Sequence, residues 1–252
     1  MPAQLAQRYR SASQQARVVT EAWGQENLYC PNCQSSSLNS APNNTAAFDY
    51  ICPSCELPFQ LKSKSSPIGG SINDAAYEAM RRAILEDRTP NLYALHYNKS
   101  FWEVRNLILV PHFAFSLSAI VARRPLAAGA RRAGWVGCNI VLRNIPADAK
   151  IPLVSDGVPA PAQQVRESFR RIKPLVELRP TERGWTLDVL RVVRSLGKSE
   201  FSNGDVYEFA PQLERLHPNN RHVKDKIRQQ LQVLRDKGLL VQSGRGIWAL
   251  KD

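Results

Sequence analysis

Four cysteines and three strand residues share the stretch from Cys30 to Lys64, and their types point to two different metal sites. Cys30-Pro-Asn-Cys33 and Cys52-Pro-Ser-Cys55 are C-x-x-C turns separated by 18 residues. That gap falls within the roughly 15–20 residues usual for a zinc site made from two such turns. Each turn aims two sulfurs at one point. Together they close a tetrahedral shell of thiolates with no open position, so the expected Zn²⁺ is structural. Pro31 and Pro53 suit the tight turns, because proline fixes φ and lacks an N–H. Two disulfides or four separate buried thiols are the alternatives. The opening residues, Met1 to Arg8, are polar and hold no apolar signal core, so a cytoplasmic chain is expected, where metal is favoured over disulfide. Cys138 reads as a small buried hydrophobe.

The second site surrounds the second turn. Asp49 precedes it, and Phe59-Gln60-Leu61-Lys62-Ser63-Lys64 follows. The latter alternates with period two, which sets Phe59 and Leu61 toward a core and Gln60, Lys62 and Lys64 on the opposite face. Phe48-Asp49-Tyr50-Ile51 reads as a partner strand. Phosphodiester hydrolysis needs a hard cation that neutralises developing charge and acidifies an attacking water. The Asp49 carboxylate, the Gln60 side-chain oxygen and the Leu61 carbonyl are ligands suited to Mg²⁺. Lys62 would hold and activate the water. Taken alone the spacing is weak, since a solvated strand face carries the same residue types. Glu21 on the first helix is a further acid that could support the metal, although a surface glutamate is the simpler reading.

The elements that must position these groups read as follows. A chain of 252 residues holds one large domain or two small ones. Its net charge of +12 suits a polyanionic partner, most simply nucleic acid. No apolar run approaches the roughly 18 residues that span a bilayer, and no membrane partner is expected. Apolar spacing predicts a helix over 4–23 ended by Gly24, and a second from the N-cap Ser71 through Leu85. Strands are predicted at 93–97, 104–110, 139–142 and 152–154, with a helix over 161–172. The polar stretch from Leu178 to Arg183 reads as a linker. From Gly184 the order resembles a winged helix: a helix over 185–196, a second capped by Ser202 near Asp205, a third over 220–237 ended by Gly238, then a hairpin through Ser243-Gly244-Arg245-Gly246. The third helix sets Val223, Ile227, Leu231 and Leu234 inward, and Arg221, Lys224, Arg228, Gln229, Gln232 and Arg235 outward. Arg and Gln on such a helix contact base edges in the major groove, and the flanking cations contact phosphates. Residues 184–252 carry 12 Lys/Arg against 8 Asp/Glu, a local net of +4. A protein-binding winged helix is the alternative.

The order zinc turn, Asp, zinc turn, (E/Q)-x-Lys resembles the DpnI-type methyl-directed restriction endonucleases of the PD-(D/E)XK superfamily. The likeness extends to Leu61-Lys62-Ser63-Lys64, Ile72-Asn73-Asp74-Ala75-Ala76-Tyr77, Arg131-Arg132-Ala133-Gly134-Trp135 and the run from Lys226 to Lys237, and so covers nearly the whole chain. It implies a mixed α/β (α+β) fold: a PD-(D/E)XK catalytic domain at 1–179 with an inserted four-cysteine zinc site, then a winged-helix domain at 184–252. It also implies a type II site-specific deoxyribonuclease with catalytic Mg²⁺; a monomer in solution is a separate expectation. The substrate would be double-stranded DNA at GATC carrying N6-methyladenine. One departure stands out: Gln60 occupies the position of the family's usual acid, and a neutral amide contributes less charge to the metal. Gln60 therefore keeps a rival alive, a zinc and winged-helix reader of DNA that does not cut.

An N6-methyl group removes a hydrogen-bond donor and adds apolar surface in the major groove, so its reader needs an apolar wall. Trp135 is the candidate, set between glycines and near Arg123, Arg124, Arg131 and Arg132. The alternative is a tryptophan packed beneath its loop.

Overall fold

Asn91–Asn98 is apolar on both faces. In the computed structural model, which describes residues 1–42, 45 and 48–251, it forms the buried middle of a seven-stranded sheet. The sheet runs in the order β1 (Asn39–Ser40), β2 (Tyr50–Ile51), β3 (Pro58–Lys64), β5 (Asn91–Asn98), β6 (Glu103–Val110), β9 (Ile151–Ser155) and β10 (Val158–Pro159). β3 and β5 pair in parallel and the other neighbours pair antiparallel. A parallel pair needs a crossover, which β4 (Ser71–Ala76) and α2 (Tyr77–Leu85) supply. α1 (Ala12–Asn27) covers β3, with Thr20 Oγ1 donating to Ser63 Oγ at 3.2 Å. β4 also belongs to a small antiparallel sheet in the order β4, β8 (Gly137–Val141), β7 (Ile120–Ala122).

Ser71–Ala76 is therefore a strand, not the first turns of a helix. Ile72 and Ala76 are four apart, a spacing that satisfies helical and strand periods alike. Pairing with β8, Ile72 opposite Ile140, decides between them. The predicted helix over 4–23 is also redrawn. Residues 3–8 form a 3-10 turn, and α1 runs through Gly24 to Asn27. Gly24 is there because a Cβ at this position would run into the hydroxyl of Tyr50. That ring is 2 % exposed, and its Oη donates to the Glu21 carbonyl at 2.8 Å. Gly24→Ala should gain about 1 kcal/mol of helix propensity. It should lose about 2 kcal/mol to overpacking against a clamped ring, so a net fall in the thermal midpoint is expected.

The stretch from Leu178 to Arg183 is not a free linker. α4 (Pro180–Ser195) begins there with Pro180 at its first position, a start signal. Residues Arg183 to Leu190 are all buried, so this helix is covered around its whole circumference. One side serves the winged helix and the other the sheet domain. Three of its polar residues find partners across the joint: Arg183, 1 % exposed, pairs with Asp87; Asp188 accepts from Ser118 at 2.7 Å; and Arg194 pairs with buried Asp148. Arg183 departs from the exposure expected of linker charge, because charge does not by itself mean exposure. A buried charge is tolerated when a partner is supplied, and Asp87 lies 96 residues away in sequence.

The C-terminal elements follow the winged-helix expectation. They are β11 (Glu200–Ser202), α5 (Asn203–Tyr207), α6 (Ala210–Leu216), α7 (Val223–Asp236) and the hairpin β12 (Leu240–Gly244) and β13 (Ile247–Leu250). Ser202 and Asp205 form a reciprocal capping box on α5. Gly238 takes φ +76° just past α7, a left-handed stop that favours glycine. Asp252, the last residue of the expected domain, lies outside the described residues.

Candidate metal centres and nucleic-acid interface

The two C-x-x-C turns meet as predicted. Ligand sulfurs of Cys30, Cys33, Cys52 and Cys55 all lie within 4.8 Å of one another. The contacts Cys30–Cys55 and Cys33–Cys52, at 3.5 and 3.6 Å, each join one turn to the other. A disulfide needs about 2.05 Å. A tetrahedron with metal–sulfur bonds of about 2.3 Å needs sulfurs a little under 4 Å apart. The cluster fits a zinc site, and all four cysteines are free. Burial pushes the Cys30 thiol up. Burial acts the same way on Cys52, but the N–H groups of Cys55 and Ser54, together with the Cys33 and Cys55 side chains, outweigh it and draw the thiol down to about 7.

Arg166 on α3 (Ala162–Ile172) holds this cluster in place, and sequence reasoning missed it. Its Nε donates to the Cys33 carbonyl at 2.9 Å and the Cys30 carbonyl at 3.3 Å, and its terminal nitrogen donates to the Ser35 carbonyl at 3.1 Å. The guanidinium also lies 5.2 Å over the Tyr29 ring. Nothing local could have signalled a partner 133 residues away. Partners that orient metal ligands commonly matter 10–100-fold in affinity. Arg166→Ala should therefore release zinc to a chelator at about tenfold lower chelator concentration, as read with a colorimetric zinc dye.

The hydrolytic candidates sit at the open edge of β3, next to this cluster in sequence. β2 covers only the start of β3, with Tyr50 opposite Phe59. Asp49 lies just before that ladder. Its N–H donates to the Phe59 carbonyl at 2.8 Å, and its Oδ2 accepts from the Leu61 N–H at 2.7 Å. Asp49 is thus pinned to the peptide units on either side of Gln60. In an extended strand the N–H and C=O of one residue leave by the same edge, so the Leu61 carbonyl leaves on the edge that Asp49 occupies. Asp49 also lines a concavity of about 200 Å³ with Arg17, Glu21, Ser40 and Tyr50. Glu21, its side chain 37 % exposed, makes a helix-surface pair with Arg17 at 2.7 Å and lines the same hollow as Asp49. The Asp49 carboxylate and the Leu61 carbonyl on this edge, with the Gln60 amide oxygen one residue away in β3, are hard oxygen donors of the kind a divalent cation such as Mg²⁺ takes.

Lys62, read from the sequence as the residue that holds the water, is only partly open to solvent, with its side chain 27 % exposed. β4 covers it, and its Nζ lies 2.9 Å from Asp74 Oδ1. Asp74 falls in the stretch expected to be helical, so nothing in the sequence marked it as a candidate. The strand alternation itself holds, with Phe59 fully buried against Tyr93 at a ring separation of 5.5 Å.

The arginine and tryptophan loop joins β7 to β8. Arg123, Arg124, Arg131 and Arg132 are exposed, and Trp135 is half-buried. The Trp135 ring lies against the backbone of Gly137, where a Cβ would meet it at 2.9 Å. Arg132 covers the ring at 4.6 Å. On the winged helix, Arg221, Lys224, Arg228, Gln229, Gln232 and the wing residue Arg245 are all exposed. Arg228 is paired with Asp225 at 2.5 Å and Lys224 lies 5.7 Å over Tyr207, so both cations are partly pre-positioned. A separate hollow of about 490 Å³ opens over the α4 joint, lined by Trp185, Asp188, His217 and Ser118 among others. It holds none of the candidate catalytic groups.

Residues 1–178 match the family model described as DpnI, the Dam-replacing family, and residues 181–249 match that of the Dam-replacing HTH domain. The chain belongs to the DpnI family. It is a restriction endonuclease, with a mixed α/β nuclease domain, a four-cysteine cluster that fits a zinc site and a C-terminal helix-turn-helix domain that makes DNA its partner. The DpnI family implies a methyl-dependent restriction enzyme. Among the described residues no helix is long and apolar enough to cross a membrane.

Proposed function

We propose that the protein is a type II methyl-dependent endonuclease that hydrolyses double-stranded DNA at GATC sites containing N6-methyladenine, with Mg²⁺ as catalytic cofactor, and that it acts as a monomer. The carrying observation is the pinning of Asp49 to the peptide units around Gln60, on the edge where the Leu61 carbonyl leaves. In this reading residues 1–179 cut and residues 184–252 hold the duplex. Asp49, Gln60 and the Leu61 carbonyl would ligate the cation. When bound, it neutralises charge on the phosphate and acidifies a water. Lys62 orients that water and opposes the charge of the scissile phosphate. Arg123, Arg124, Arg131 and Arg132 take phosphates beside the cut, and α7 reads base edges with Arg228, Gln229 and Gln232 while Arg221, Lys224 and Arg245 grip the backbone.

Trp135 supplies the apolar wall for the methyl group, once Arg132 swings from its ring to a phosphate. Trp135→Ala should lower cutting of methylated duplex about tenfold, the size of a lost base–aromatic contact, without altering its Mg²⁺ requirement. Unchanged cutting and unchanged discrimination would remove Trp135 from the reading.

The deciding experiment is digestion, with Mg²⁺, of one plasmid prepared from adenine-methylating and non-methylating hosts. Fragments at GATC from the methylated preparation alone support the whole reading. Cutting of both preparations keeps the nuclease and discards the specificity. The neutral Gln60 favours one second reading, a DNA reader without hydrolysis, and that reading is left standing if methylated DNA is bound and never cut.

A further inference from the structure

Asp74 has no place in the reaction described above, yet its position is unusual. Its side chain is 5 % exposed, and the Lys62 ammonium lies 2.9 Å from Oδ1. Among the described residues no other cation comes within ion-pair distance of it. The contact is one of charge, because Oδ1 receives no aligned hydrogen bond. Across the β4–β8 ladder Asp74 stands opposite Cys138, which is fully buried. Burial, and then the Asp74 carboxylate, push that thiol up to about 11, so Cys138 offers a neutral neighbour. The ladder is irregular between Asp74 and Ala76. Asp74 therefore sits where β4 departs from regular pairing, above the face of β3 that carries Lys62.

We propose that Asp74 is a positioning residue for Lys62: a buried carboxylate, brought over β3 by the crossover strand, that fixes where the Lys62 ammonium can stand. The proposal rests on the nuclease reading, in which Lys62 works at the phosphate. A lysine ammonium is a point charge on a flexible four-carbon stem. A catalytic group has to be held within about half an ångström of its working geometry, and β3 alone fixes only the root of the stem. A buried carboxylate is costly unless it meets a cation. That cost makes the Asp74 side of the pair a strong restraint, while the Lys62 side chain stays 27 % exposed.

The test is steady-state cleavage of a methylated duplex by the full-length, zinc-loaded protein carrying Asp74→Asn, an isosteric change that removes the charge. The expected result is a kcat lower by 10–100-fold, on the order of a misplaced catalytic group, with KM for DNA, zinc content and thermal midpoint close to wild type. A role limited to stitching β4 onto β3 predicts instead a lower midpoint with kcat preserved in the folded fraction, and that outcome overturns the proposal. So does wild-type kcat, or a rise in kcat. If Asp74→Asn does not fold, Asp74→Ser is measured in the same way, and failure of both to fold makes the residue structural and overturns the proposal. A wild type that binds methylated DNA without cutting it overturns the nuclease reading. A wild type that cuts beside a fully active Asp74→Asn overturns this inference alone.

Discussion

Asp49→Asn is expected to reduce Mg²⁺-dependent cleavage about a thousandfold, equivalent to about 4 kcal/mol of transition-state stabilisation. The size follows from the ligand set. Gln60 and the Leu61 carbonyl are neutral, so Asp49 carries the only formal negative charge among the three proposed ligands. Metal affinity for hard cations tracks the charge of the oxygens around them, and here one substitution takes all of it. The change is isosteric, and the amide oxygen that replaces Oδ2 can still accept from the Leu61 N–H, so the fold should survive. DNA binding should be unchanged or slightly tighter, because an anion facing phosphate has gone. The complementary change, Gln60→Glu, should lower the Mg²⁺ concentration needed for half-maximal cutting. Cleavage by Asp49→Asn at the wild-type rate would exclude the β3 edge as the catalytic site. Glu21, in the same hollow, would then be the acid to examine.

Zinc removal should produce the largest loss of stability. The four sulfurs join residues 30–33 to residues 52–55, and those segments frame the strand that presents Asp49. Structural zinc contributes on the order of 10 kcal/mol or more to small metal-dependent folds. Here the surrounding core, with Tyr50, Phe59 and Tyr93 almost fully buried, should retain part of the structure without metal. A net loss of about 5 kcal/mol is expected, which for a chain of this size lowers the thermal midpoint by about 10–20 °C. Cys52→Ser should reproduce the effect of a chelator, and the two should not add. Because the Asp49 N–H is tied to β3 beside the cluster, cleavage should fail at a chelator concentration below that which unfolds α7. The idea fails if metal analysis finds no zinc in native protein and the chelator leaves the midpoint unmoved.

What could be read from the chain alone was whatever depends on neighbours in sequence. The C-x-x-C turns announce themselves because each holds its two sulfurs within four residues, and a gap of 18 lets the turns meet. α7 declares itself through Val223, Ile227, Leu231 and Leu234, the α5 cap through Ser202 and Asp205, and the end of α7 through Gly238. The alternation in β3 correctly separated the face of Phe59 from that of Lys62. Tertiary structure decided the rest, for one physical reason: a buried polar group is defined by a partner that can lie anywhere in the chain. Ser71–Ala76 has a spacing that suits helix or strand, and only the ladder with β8 settles it and carries Asp74 to Lys62. Arg183 looks like linker charge until Asp87 is brought to it, and Arg166 looks like a surface helix residue until the zinc turns fold beneath it. Local spacing shows which chemistry the chain carries. The crossover from β3 to β5 and the shared helix α4 determine which charges face one another, because those contacts exist only once distant segments have paired.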